Sequence, residues 1–95
     1  MIVAPSAIDD CGDSTRRVFR HGLLALADPA DRRVFGLRRE LYRQIAVLVG
    51  AVRVGSHMRL MQFSEIDAAL CDLERIGVVQ NMSEGEVVEV VLCAS

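Results

Sequence analysis

The chain contains no lysine; all eleven of its basic residues are arginine. That gap points to a GC-rich coding sequence and says little about function. Cysteine is scarce and scattered: Cys11, Cys71 and Cys93 show neither CxxC nor metal-ligand spacing, so they read as reduced thiols of a cytoplasmic protein. No apolar run is long enough to span a bilayer, and no signal peptide is visible. Catalytic patterns are missing too. No Ser/His/Asp or Cys/His arrangement has local support, and no Gly-rich phosphate loop occurs. Asp72 and Glu74 lie two residues apart, on different faces of a helix. We therefore expect no catalytic residue, cofactor, bound metal or small-molecule substrate.

The 95 residues suffice for one small domain, and 52% of them are apolar. In the middle stands Gly55-Ser56-His57-Met58, which reads as the remnant of a cleaved tag followed by a start Met. It would be an engineered linker joining residues 1–54 to residues 59–95. The charge split agrees with two sources: nine Arg face six acids before the tetrapeptide, net +3, and two Arg face seven acids after it, net −5. Opposite charge on two short segments suits partners that recognise each other.

Residues 1–12 lack periodicity and read as a flexible arm. Phe19, Leu23 and Leu26 predict a first helix over about 15–27. Asp28-Pro29-Ala30-Asp31 offers an N-cap, a proline at the first helical position and an acid at N3, predicting a second helix over about 29–51. Val34, Leu37, Leu41, Ile45 and Leu48 make its apolar stripe, and Arg38, Arg39 and Arg43 lie off it. Ile66, Ala69, Leu70, Leu73 and Ile76 predict a third helix over about 65–76, ended by Gly77. Ser83-Glu84-Gly85-Glu86 has the form of a capping box and favours a fourth helix over 84–93. Val87, Val88, Val90 and Val91 are strand formers, so a hairpin of Val78–Gln80 against Val87–Leu92 is the rival. Four helices predict an all-α fold, a four-helix bundle made of two αα-hairpins, residues 13–54 and 59–95.

Leu70-Cys71-Asp72-Leu73-Glu74-Arg75-Ile76-Gly77, followed by Ser83-Glu84-Gly85-Glu86-Val87 and Val90-Val91-Leu92, resembles the four-helix-bundle docking domains of trans-acyltransferase modular polyketide synthases. The resemblance covers about residues 63–93. It departs from the family at Gly85-Glu86-Val87, where Glu-Glu-Ala is usual. It implies a non-catalytic module for antibiotic biosynthesis that holds consecutive synthase subunits in order. Residues 13–54 would be a C-terminal docking domain fused to an N-terminal one at 59–95. The two halves would bind each other as a monomeric fusion, with no nucleic acid or membrane involved. The apolar contact would join Val34, Leu37, Leu41, Ile45 and Leu48 to Ile66, Leu70, Leu73, Val87 and Val91. Arg38, Arg39 and Arg43 would meet some of Asp67, Asp72, Glu74, Glu86 and Glu89.

Leu73-Glu74-Arg75-Ile76-Gly77-Val78-Val79 also resembles the helix-to-wing passage of winged-helix DNA-binding regulators. On that reading Ser64–Ile76 is a recognition helix. It carries four acids and one Arg, a poor complement to phosphate.

Overall fold

A computed structural model describes residues 6–93. After a short 3-10 turn at Ser6–Asp10 comes helix α1, with α-helical ends at Asp13–Arg17 and Leu24–Leu26 and a π-helical middle at Val18–Leu23. Strand β1 (Arg33–Leu37) leads directly into α2 (Arg38–Val49). A hairpin of β2 (Val52–Val54) and β3 (His57–Arg59) separates α2 from α3 (Phe63–Arg75). β4 (Val79–Asn81) and β5 (Val87–Leu92) close the chain. β5 lies between β1 and β4, antiparallel to both. The order is helix, strand, two helices, then two strands joined by a tight turn closed by Glu84 and Val87, called the wing below, with the β2–β3 arm between the second and third helices. No helix among the described residues is long and apolar enough to cross a membrane.

The all-α four-helix bundle is therefore not the fold; the chain is mixed α/β. Two segments account for the difference. Asp28 does not cap a helix. Its Oδ1 accepts the Ala30 N–H at 2.8 Å and its carbonyl accepts the Arg32 N–H at 2.7 Å, closing a local turn. Arg32 sits at φ 56°, a region that stops helical propagation. The chain emerges extended, and Arg33–Leu37 pairs residue by residue with Val91–Val87. The second helix thus begins at Arg38 rather than Pro29.

The second segment is 84–93. Ser83 does not cap a helix either; its Oγ accepts the Glu89 N–H at 3.1 Å, across the turn. Glu84 and Val87 exchange both backbone hydrogen bonds, at 2.9 and 3.0 Å. Gly85 takes the first central position of this two-residue turn at φ 57°, where a type II′ hairpin turn calls for glycine. Beyond it, Val88, Val90 and Leu92 are buried and their neighbours are not, the period-two pattern of a strand. β-branched propensity prevailed over a capping signature that serves a hairpin equally well.

Gly55-Ser56, the start of the tetrapeptide read as a join, is the two-residue turn of the β2–β3 hairpin, with Gly55 at φ 60° and Val54 paired to His57. The segments on either side of it are interleaved: β1 from the first half lies in the same sheet as β4 and β5 from the second. The expected arm over 1–12 lies outside the described residues at 1–5. Within its remainder, Ile8 is buried in the core and Asp9 pairs with Arg20. The radius of gyration, 12.5 Å, is that of a compact domain of this length.

One continuous core joins every described element except β3. Val18, Phe19 and Leu23 of α1 meet Tyr42, Ile45 and Val49 of α2, Ile66, Leu70 and Leu73 of α3, and Val34, Val88 and Val90 of the sheet. α1 and α2 pack tightly at Gly22, where an added Cβ would lie 3.1 Å from Ile45 Cγ2. Gly22→Leu is expected to lower unfolding stability by about 1–3 kcal/mol, the cost of overpacking a filled core. Urea denaturation of the two proteins measures it.

Candidate recognition surface of α3 and the wing

α3 starts and stops on local chemistry. Gln62 and Glu65 form a capping box: Glu65 Oε1 accepts the Gln62 N–H at 2.8 Å. Arg59, at the base of the hairpin, grips the same carboxylate with two nitrogens, at 2.6 and 3.2 Å. That grip and the Gln62 N–H hold the Glu65 carboxyl below its usual range, and Glu65 in turn raises the Arg59 guanidinium. At the other end the Val78 N–H reaches Leu73 O at 3.1 Å over Gly77, a Schellman closure. These termini fix which face of α3 is outward. Ile66, Ala69, Leu70 and Leu73 are buried; Ser64, Asp67, Ala68, Cys71, Glu74 and Arg75 are exposed.

Beside that face the wing is anchored through Arg38. Its backbone N–H donates to Glu86 O at 2.7 Å and its Nε to Gly85 O at 3.2 Å, so the first residue of α2 holds the wing turn. Its NH1 donates to Tyr42 Oη at 2.8 Å and to Asp67 Oδ1 at 3.0 Å. Tyr42 donates its hydroxyl to the same Asp67 oxygen, its ring lies under the guanidinium at 5.2 Å, and Phe63 meets it edge-on at 5.5 Å. Burial first, then the hydrogen bond and the negative charge of Asp67, push the Tyr42 phenol well above its ordinary pKa.

The residues expected to form an interface between two halves are distributed as follows. Val34, Leu41, Ile45, Ile66, Leu70 and Leu73 are brought together, as interior of one core. Leu37, Leu48 and Val87 are exposed and Val91 is half-buried, so these four do not join it. Of the charged set, Arg38 meets Asp67. Arg39 and Arg43 make no ion pair among the described residues. Asp72 accepts from Arg75 at 2.6 Å and lies 3.4 Å from Thr15 Oγ1. Glu74 Oε2 accepts the Asn81 N–H at 2.8 Å. Glu89 pairs with Arg33 at 3.2 Å across the sheet, and the Glu86 side chain forms no ion pair among the described residues.

Sequence reasoning missed Tyr42. Its signal was present: it is the chain's one tyrosine, four residues after Arg38, the spacing that places both on one helical face. It also missed a groove of about 660 Å³ lined by Leu26, Glu40, Arg43, Gln44, Val47 and Leu48, because it treated Leu48 as core. Among the described residues no group of three His, Cys, Asp or Glu side chains is placed to hold a metal ion.

No family model matches the chain, and no curated protein or solved structure matches it.

Because Tyr42 is the sole tyrosine, absorbance at 295 nm reports its ionisation alone. A phenol whose folded pKa is raised contributes no pH dependence below the unfolded value of about 10; stability then falls as pH rises above it. The phenolate is therefore expected to appear only with alkaline unfolding, above the ordinary value. Tyr42→Phe should abolish the optical change and, having lost the hydroxyl's hydrogen bonds with Asp67 and Arg38, unfold about 1.5–3 kcal/mol more easily at neutral pH.

Proposed function

We propose that this chain is a non-catalytic protein-recognition module on a winged-helix frame, with the outward face of α3 and the wing as its contact surface. One observation carries the reading: that surface is acidic. Asp67 and Glu74 are exposed on α3, and Glu84 and Glu86 are exposed in the wing. The cations nearest to them are already engaged, Arg38 with Asp67 and Arg75 with Asp72. Duplex DNA carries one negative charge per about 1.7 Å of axis, so a recognition helix of this sign meets repulsion where it would need to neutralise phosphates. A basic protein surface meets the opposite field, which speeds encounter and rejects acidic competitors.

Subunit docking in a polyketide synthase, the role implied by the resemblance of 63–93, is one form such recognition takes. Here the recognising unit would be the whole domain rather than one helical hairpin. A cytoplasmic setting accords with the scattered spacing of the three cysteines in the sequence. The second reading, a DNA-binding regulator, is favoured by the order of helices and wing; the charge of the surface opposes it.

Fluorescence anisotropy with labelled random duplex DNA at low salt separates the two. The module is expected to show no binding at about 100 μM protein, where even non-specific DNA-binding proteins bind. Saturable binding that weakens steeply with salt would favour the regulator.

A further inference from the structure

A concave and a convex feature of this domain complement each other. The groove along α2 is apolar at its floor, from Leu26, Val47 and Leu48, and Val47 is 62% exposed. Arg43 lines it, and Arg39, one turn earlier on α2, is also exposed. Neither arginine has an ion-pair partner among the described residues. Glu40 offsets one of the two charges, which leaves the groove region cationic. The wing is the reverse. It is a tight two-residue turn between β4 and β5, with Glu84 and Glu86 exposed and without ion pairs among the described residues. Met82 beside them is 50% exposed, an unbranched apolar side chain suited to an irregular slot.

We infer that the wing of one copy docks in the α2 groove of a second copy. The inference rests on reading the wing as a protein-recognition surface and names its partner as another molecule of the same chain, a departure from the monomer the sequence suggests. Met82 would lie against Val47 and Leu48, while Glu84 and Glu86 face Arg39 and Arg43. Wing and groove are different patches, so the contact is reciprocal if two copies close on a twofold axis and extends head to tail if they do not. Each exposed pair contributes little, so charge selects the orientation and the apolar floor supplies the affinity.

Sedimentation velocity of the full chain over a concentration series at low salt tests it. The unaltered protein is expected to self-associate and to dissociate as salt is raised. Glu84→Lys with Glu86→Lys, and separately Arg39→Glu with Arg43→Glu, should each weaken association about tenfold. None of these side chains packs in the core, and circular dichroism verifies that each variant folds. An equimolar mixture of the two variants should regain association, because every wing then finds a groove of opposite charge. Met82→Ser should weaken association without changing its salt dependence. A protein that stays monomeric at low salt, or charge variants whose mixture is no better than either alone, would overturn the inference. Neither result bears on the DNA measurement, which tests the recognition reading separately.

Discussion

Arg38 is the residue through which the sheet, two helices and the wing are held in one arrangement. It is the junction between β1 and α2, so its backbone cannot move without moving both. From there it bonds the wing turn at Gly85 and Glu86, and α3 at Asp67, with Tyr42 beneath it. The guanidinium suits this role because its planar fork serves several acceptors in fixed directions and stacks on an aromatic ring. The functional consequence follows from the same bonds. A cation engaged by Asp67, Tyr42 and the wing carbonyl is not free for an external phosphate, and the acids around it are left to define the field of the surface.

The legibility of the chain varied with how many structures a given pattern serves. α3 was legible because its buried stripe has one period only, and Gly77 closes it where a left-handed residue is needed. The C-terminal half of α2 was legible for the same reason. β1 was not, because Val34 and Leu37 fit the helical stripe of α2 by spacing, while the turn that separates them depends on Asp28 bonding the Ala30 N–H and carbonyl instead of capping. The wing was hidden by Ser83-Glu84-Gly85-Glu86, which satisfies a capping-box pattern and a hairpin turn alike. What decides is β1 lying alongside β5, a contact between residues 50 to 58 positions apart. The β2–β3 arm was obscured differently: reading Gly55-Ser56-His57-Met58 as a join removed from consideration the Gly-Ser pair that, between Val52–Val54 and His57–Arg59, marks a two-residue turn.

The pairing of Arg38 with an acid of the second half is with Asp67. It is made inside one domain rather than across two partners. The same applies to Ile45, Leu70 and Leu73, which lie in one shared core. Charge asymmetry along the chain thus became charge asymmetry over a surface, with acids on α3 and the wing and, on α2, Arg39 and Arg43, which make no ion pair among the described residues. The proposed recognition of a basic protein surface and the inferred self-association through the wing both draw on that asymmetry.

The central claim is that β1 and β5 are neighbours and that 84–93 forms a wing. Nuclear Overhauser effects between backbone protons in solution test it most directly. Cross-strand contacts are expected between Phe35 and Glu89 and between Val34 and Val90, with slow amide exchange along β5. Helical sequential contacts over 84–93, with none to Arg33–Leu37, would contradict the fold and the recognition surface built on it.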